Sequence, residues 1–251
     1  MVPLGVVQML ILIGIIFAQD SSVDDLLTKA RLGVKAAKYA EVVGSLRKIK
    51  ETRLNNSEVY DLLGTSEFML GNTVASCQAF DDQIKMRPQD GPSHWRRGIA
   101  LYYAGRFAHG QKQFESYQAV DGNDVENTVW KLMCQTRAPG QSLEKARKQM
   151  LPIGFDRRVP MMKILDLFGG NAKVDDVENA VSNGAAVQLE SGRFYRDLYL
   201  GLWEDLNGRY EEAGKHLAKA GAGTAGSDYM REVALVHLKL LKEKKLPWQN
   251  P

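Results

Sequence analysis

Residues 59–88 read VYDLLGTSEFMLGNTVASCQAFDDQIKMRP, and this segment decides the fold. It holds an apolar helical stretch with an internal glycine, a second glycine where a turn is expected, and another helical stretch that ends at Pro88, which cannot continue a helix. Residues 93–120, SHWRRGIALYYAGRFAHGQKQFESYQAV, show the same order at an offset of 34 positions. A fixed period of this length is typical of helical-repeat proteins. The aligned pairs are Gly64 with Gly98, Leu70 with Ala104, Gly71 with Gly105 and Phe80 with Phe114.

A third copy of the pattern is YLGLWEDLNGRYEEAGKHLAKAGA, residues 199–222. Its Gly201 corresponds to Gly64 and Gly98, and Leu217 stands where the other two copies have phenylalanine. Glycine inside a helix costs about 1 kcal/mol relative to alanine, so its recurrence needs a packing reason. We predict that each glycine lets the two helices of a pair approach closely, while the large apolar side chain fills the space between them.

The rest of the chain carries helical patterns that match the repeat less well. Residues 23–54 indicate a degenerate first repeat, and residues 124–190 hold helix-like pieces separated by breaks that contain Pro and Gly. Residues 227–244 end in lysines, as expected of a helix that caps a repeat array. The predicted organisation is a signal peptide over 1–18, a degenerate first repeat over 19–56, two repeat units over 57–122, divergent helical hairpins over 123–193, a further unit and loop over 194–226, and a capping helix and tail over 227–251.

The repeated residues resemble the tetratricopeptide repeat (TPR) family. The resemblance implies an all-α fold, a TPR-like α-solenoid of antiparallel helix pairs with a C-terminal capping helix, and a concave groove lined by the first helix of each pair that holds peptides or partner helices. A signal-like start followed by a few such units is similar, more weakly, to exported bacterial TPR lipoproteins of the NlpI type, which act as adaptors. The residues that match the TPR pattern are Leu63, Gly64, Gly71, Phe80, Ile84 and Pro88 in one unit and Leu200, Gly201, Gly208, Tyr210, Ala213 and Ala220 in another.

The TPR register places aromatic side chains on the expected groove. Rigid aromatic rings with a polar edge are well suited to recognition, although Tyr102 or Tyr199 could instead pack against the next repeat. The TPR subfamily that grips C-terminal carboxylates uses Lys and Asn in the groove, whereas Asp61 and Thr65 stand here, so that ligand is not expected. The predicted partner-binding residues are Phe68, Trp95, Arg96, Tyr102, Tyr103, Tyr195 and Tyr199.

Composition limits the classes of partner. The chain has 251 residues, of which 44% are hydrophobic, so it can bury a sizeable core. Its net charge is +3, and acidic and basic residues are interleaved. Nucleic-acid binding usually requires a strong, one-sided Lys and Arg excess, and no nucleic-acid partner is expected.

The first 18 residues differ in composition from the rest, since LGVVQMLILIGIIFA (4–18) is apolar and uncharged. This pattern predicts a secretory signal peptide cleaved after Ala18, and hence a secreted or periplasmic protein. The alternative is an uncleaved membrane anchor, although the run is shorter than the roughly 18 to 20 residues that span a bilayer. No cysteine lies near the expected cleavage point, so a cysteine-linked lipid anchor is not expected.

The two cysteines are predicted to be buried free thiols. Cys77 falls in the second helix of one repeat and Cys134 in the first helix of a later hairpin. Intervening helices should hold them beyond the roughly 7 Å between Cα atoms that a disulfide allows. Asn55, in Asn55-Asn56-Ser57, fits the N-glycosylation pattern, which matters only in a eukaryotic host.

The sequence contains no Gly-x-Ser-x-Gly elbow and no Walker A loop. The four histidines have no metal-site spacing, so no metal is expected. Residues 221–226 match Gly-x-Gly-x-x-Gly, but a dinucleotide fingerprint must follow a strand, and a helical pattern precedes this one. We therefore expect no catalytic residues, no cofactor and no small-molecule substrate.

One segment outside the repeat pattern, FDRRVPMM (155–162), carries adjacent arginines. Arg157 and Arg158 suggest an anion or carboxylate site. The alternative is that they bond to neighbouring helix ends and to acids such as Asp166, as the arginine guanidinium often does.

Three functions are compatible with the sequence. The first is an exported TPR scaffold or adaptor that binds a protein or peptide partner through the aromatic groove. The second is self-association, as a homodimer formed through residues 124–190 or the terminal helix. The third, and least favoured, is an enzyme built on the arginine segment, so the protein is predicted not to be an enzyme.

Overall fold

The computed structural model describes residues 24–51, 56–184, 188–223 and 228–249. Within these ranges the regular structure is helical, and consecutive helices pack against one another. The all-α class is therefore confirmed for the described residues. The α-helices are α1 over 24–35, α2 Tyr39–Glu51, α3 Ser57–Met69, α4 Thr73–Met86, α5 Trp95–Tyr103, α6 Phe107–Tyr117, α7 Val125–Arg137, α8 Leu143–Arg147, α9 Met161–Gly169, α10 Val174–Ser182, α11 Leu189–Leu206, α12 Tyr210–Ala222 and α13 Asp228–Lys242.

The helix pairs α3/α4, α5/α6 and α11/α12 share one packing device. A Cβ atom added to Gly64 in α3 would lie 2.5 Å from ring carbons of Phe80 in α4, far inside van der Waals contact. The equivalent distance is 2.6 Å from Gly98 to Phe114. It is 2.7 Å for the third pair, Gly201 and Leu217. The predicted packing role of the three repeated glycines is confirmed.

The turns inside these pairs are also alike. Gly71, Gly105 and Gly208 have φ values of +85°, +71° and +76°, in the left-handed region that favours glycine. Each follows a helix and lets the next amide N–H donate to a carbonyl five residues back, which satisfies the helix end. Ala37 occupies the corresponding place between α1 and α2, with a φ of +54°. The α1/α2 pair therefore shares the turn geometry, although its sequence matches the repeat poorly.

The region between the second and third well-matched pairs is less regular. Helix α8 is only Leu143–Arg147, and residues 150–157 form no regular element. This extended segment runs past the start of α7, where the backbone N–H of Phe155 donates to Oδ1 of Asn123 (3.2 Å) and that of Val125 donates to Oδ2 of Asp156 (3.3 Å). This path of the chain positions Arg158 beside the first turn of α7.

The C-terminal segment packs back onto earlier helices. Helix α13 contacts α12 and reaches α3, where Lys239 Nζ donates to the carbonyl of Leu70 (2.9 Å). The chain then continues to Pro247, which lies against Gly105 after α5. One large core runs from α3 to α13, and a smaller one joins α1 and α2 to α3 and α4.

Both cysteines are buried and free, as predicted. The proposed signal peptide over 1–18 and the glycosylation candidate Asn55 lie outside the described residues. Among the residues that are described, no helix combines the length and the apolar character needed to cross a bilayer.

Candidate functional site

Four of the seven predicted groove residues are core residues. Phe68, Tyr102, Tyr103 and Tyr199 are each at most 2% exposed. The prediction that they present an open aromatic surface to a partner is therefore wrong for these four side chains. Trp95, Arg96 and Tyr195 remain partly exposed.

The chain's own C-terminal segment covers the first three of these rings. Phe68 stacks on Tyr229 of α13 at 5.9 Å between centroids. Tyr102 packs on Trp248 at 4.7 Å, and the Tyr103 hydroxyl lies 2.9 Å from Nδ1 of His237. We call Phe68, Tyr102 and Tyr103 the aromatic face. The surface that the sequence predicted to be open is thus occupied from within the molecule.

A buried polar cluster fixes this arrangement. Asp205, 1% exposed, accepts hydrogen bonds from Arg137 Nη2 (2.7 Å) and Trp248 Nε1 (3.2 Å). The Arg137 guanidinium lies 4.4 Å from the Trp248 ring. Burial alone would raise the pKa of Asp205, but the neighbouring His237, Arg137 and Trp248 hold it below its usual value. The ionised carboxylate thereby ties α11 to α7 and to the C-terminal tail.

Of the three remaining predicted residues, Arg96 lies elsewhere and pairs with Asp61 (2.6 Å). Trp95 and Tyr195 meet at a cavity of about 220 Å³, which we call the Arg158 cavity. Its walls come from α5, α6, the start of α7, the 150–158 segment, α11 and α13. A cavity of this volume is below the 300–1,000 Å³ typical of pockets for drug-sized ligands. It suits the end of one side chain or a small ion. The lining residues are Trp95, Ile99, Phe114, Tyr117, Asp124, Glu126, Asn127, Trp130, Arg158, Tyr195 and Met230.

Arg158 is held by three carboxylates at one side of the cavity. Its Nη2 lies 2.6 Å from Oδ1 of Asp124 and 2.5 Å from Oδ2 of Asp156, and its Nη1 donates to Glu126. Its guanidinium carbon lies 5.2 Å from the ring centroid of Tyr195. Because three acids surround one guanidinium, this position has a surplus of acidic groups, and the predicted anion site at Arg158 is wrong.

The pKa values of the three acids shift in different directions. Burial raises the pKa of both Asp124 and Glu126, and Arg158 offsets the rise only in part. For Asp156 burial acts in the same direction, but its hydrogen bonds with Arg158 lower its pKa. Asp124 also accepts from the N–H of Glu126 (3.1 Å) as the N-cap of α7. The pKa of Glu126 is thus raised by its burial even though this carboxyl accepts hydrogen bonds from Arg158 and from the hydroxyl of Tyr199 (2.5 Å).

Two polar atoms of the lining residues lack partners. Trp130 Nε1 and Asn127 Oδ1 are buried and make no hydrogen bond within the described residues, and their residues are 1% and 3% exposed. Unpaired buried polar atoms are costly, typically about 1–3 kcal/mol each.

Arg157 does not line this cavity. Its side chain is exposed and lines a wider depression, which adjoins the cavity and shares Asp124 and Arg158 with it. The alternative interpretation, that the arginines bond to neighbouring acids, holds for Arg158. Asp166, named there as an example, pairs with Lys163 (3.0 Å). Within the described ranges, no group of three or more His, Cys, Asp and Glu side chains is arranged to hold a metal ion.

The residues that α7 and its N-cap contribute to this site were not predicted from the sequence: Asp124, Glu126, Asn127 and Trp130. They lie on α7, whose repeat pattern is weak, so the repeat register gave them no position. The signal that was available is an N-cap aspartate followed by a second acid in the first helical turn. That signal predicts where a helix starts, but it does not predict that Arg158, which follows the 150–157 segment, contacts these acids. No family model matches the chain.

Proposed function

We propose that the protein is an exported helical-repeat adaptor with a TPR-like solenoid architecture, which binds a protein partner and catalyses no reaction. The architecture is supported by the three glycine contacts with Phe80, Phe114 and Leu217 and by the equivalent left-handed turns. Repeats of this kind stack into extended binding surfaces.

The observation that carries the binding function is the Arg158 cavity. It has aromatic walls, two unpaired polar atoms and the volume of a side chain. These properties suit an anchor residue of a protein partner, since interface hot spots are aromatic pockets that enclose one such residue. The proposed contact therefore involves Trp95 and Tyr195 from the predicted groove, and the buried aromatic face has a structural role.

The experiment compares capture of partners by the intact protein and two variants. Tyr195→Ala enlarges the mouth of the cavity, and Tyr210→Ala removes an exposed tyrosine at the start of α12, away from it. We expect wild type and Tyr210→Ala to retain a partner protein that Tyr195→Ala does not retain. With purified components, the affinity of Tyr195→Ala for this partner should be at least tenfold lower. Identical retention by all three, with native circular dichroism, would contradict the proposal.

Self-association is not favoured by the described surface. The large apolar side chains that are most exposed lie on separate elements of the chain, and singly exposed apolar residues are ordinary on protein surfaces. They are Leu32, Val74, Val120, Phe155 and Leu235.

A further inference from the structure

We propose that the group bound in the Arg158 cavity is an organic cation of the alkylammonium or guanidinium class, supplied by a lysine or arginine side chain of the partner. This inference rests on the proposed function, because the partner supplies the side chain. It adds the chemistry of the anchor, which the proposed function leaves open.

The first argument is charge. Asp124, Glu126 and Asp156 all contact the single guanidinium of Arg158. Clustered carboxylates in a partly buried site disfavour one another's ionisation. A second cation would lower this repulsion, whereas an added anion would increase it.

The second argument is the aromatic wall. Trp95, Tyr117, Trp130 and Tyr195 line the cavity beside the carboxylates. Rings of this kind attract cations over their faces, by about 0.5–2 kcal/mol depending on solvation. One such contact is already present in the cavity wall, since Arg158 itself lies over Tyr195.

The third argument is the unpaired acceptor. Asn127 lines the cavity, and its buried Oδ1 accepts no hydrogen bond from the described residues. An ammonium or guanidinium N–H would satisfy it. Trp130 Nε1 is a donor and needs an oxygen, which a water or an amide carbonyl that enters with the cation supplies.

The fourth argument is the volume of the cavity, which limits the size of the cation that can bind. The volume of about 220 Å³ accommodates the end of a lysine or arginine chain but is small for a nucleotide or a polyamine folded on itself. The inferred ligand is therefore one cationic group on an aliphatic stem.

The test uses the purified protein with simple probes. Isothermal titration calorimetry is carried out with n-butylammonium, n-butylguanidinium and, as the neutral analogue, n-butanol, followed by blocked tripeptides Gly-Lys-Gly, Gly-Arg-Gly and Gly-Gln-Gly. We expect both butyl cations to bind at least tenfold more tightly than butanol. We expect the Lys or Arg peptide to bind more tightly than the matching free cation.

Matched variants locate the binding. Asp124→Asn keeps an N-cap acceptor for α7 but removes one charge from the cavity, and we expect a five- to tenfold loss of cation affinity. Glu144→Gln removes a carboxylate that is 81% exposed on α8 and should leave the affinity unchanged. Circular dichroism and thermal melting confirm that each variant is folded.

The outcomes are separable. Equal binding of butanol and the cations, or unchanged affinity in Asp124→Asn, would overturn the inference. Tighter binding of a free cation than of either peptide would overturn the assignment to a partner side chain. A partner that is lost by Tyr195→Ala but is insensitive to 50-fold excess cation would leave the adaptor function standing and refute the cationic anchor. Cation binding by a protein that retains no partner would refute the adaptor function and, with it, the assignment to a partner side chain, and would leave only the preference of the cavity for a cation.

Discussion

The hydroxyl oxygen of Tyr103 lies 2.9 Å from Nδ1 of His237, although the two residues are 134 positions apart in the chain. Tyr103 ends α5, and His237 lies near the middle of α13. His237 in turn has its Nε2 3.6 Å from Asp205 Oδ1, so the contact leads into the buried cluster that also holds Arg137. The position of the C-terminal helix is therefore specified by directional polar contacts as well as by apolar packing.

Replacing Tyr103 by phenylalanine should destabilise the protein. The ring contacts with Phe68 and Trp130 remain, but His237 Nδ1 loses its partner in a buried environment. We expect a loss of about 1–3 kcal/mol in the free energy of unfolding, measured by urea titration. Tyr210→Phe, at an exposed position, is the control and should change it by less than about 0.5 kcal/mol. Equal effects of the two variants would show that the contact has no energetic role.

Replacing two helical glycines by alanine should change the free energy of unfolding in opposite directions. At Gly98 an added Cβ lies 2.6 Å from Cζ of the buried Phe114, so Gly98→Ala should cost about 1–2 kcal/mol. At Gly44, on the exposed face of α2, no atom lies within 4 Å of the added Cβ, and Gly44→Ala should stabilise by about 0.5–1 kcal/mol. Thermal and urea unfolding measure both. A stabilising Gly98→Ala would refute the close-packing role of that glycine.

The two thiols should be unreactive in the folded protein. Burial raises the pKa of Cys77 to about 11 and raises that of Cys134 as well. Only the thiolate reacts readily with disulfide reagents. We expect no titratable thiol at pH 8 under native conditions and both after denaturation in guanidinium chloride. Rapid reaction of either thiol in the native state would disprove its burial.

His94 should make stability depend on pH. Burial, followed by the charge of Arg96, lowers its pKa to about 4, against about 6.5 in an unfolded chain. The unfolded state then binds more protons between these values, so the free energy of unfolding falls as the pH drops from 6.5 to 4, by up to about 1.4 kcal/mol per pH unit. Urea titrations between pH 4 and 7 measure this slope.

The matched variant for this measurement is His94→Asn, which keeps a side chain suited to the N-cap of α5. Raised carboxyl pKa values at Asp124 and Glu126 act in the opposite direction, and they are common to both proteins. The difference between the two slopes therefore isolates the histidine. If the free energies of unfolding of wild type and His94→Asn depended on pH in the same way over this range, the pKa of His94 would not be lowered in the folded protein.

Local features of the fold could be predicted because they repeat. Gly64 and Phe80 recur at the same separation as Gly98 and Phe114, and the structure brings each pair into contact. The helix pairs and the free cysteines follow from the same register. These features depend on neighbours within about 20 residues, which the sequence pattern records directly.

The candidate site could not be predicted because its parts are distant in sequence. Helical periodicity indicates that Tyr102 and Tyr103 need a neighbour, but it does not distinguish a partner protein from α13 of the same chain. Arg158 likewise meets Asp124 and Glu126 only because residues 150–157 leave the helical pattern and cross the start of α7. The path of residues 150–157 depends on tertiary packing and not on local secondary-structure propensity.

Because the C-terminal segment covers the aromatic face, any free ligand must compete with this segment to bind there. A segment tethered to its own binding surface acts at an effective concentration that is commonly on the order of 1 mM. A free peptide at about 1 μM that made the same contacts would therefore be outcompeted roughly a thousandfold, which corresponds to about 4 kcal/mol. Ligands of ordinary affinity are thus diverted from the aromatic face, and recognition is left to surfaces that the tail does not cover.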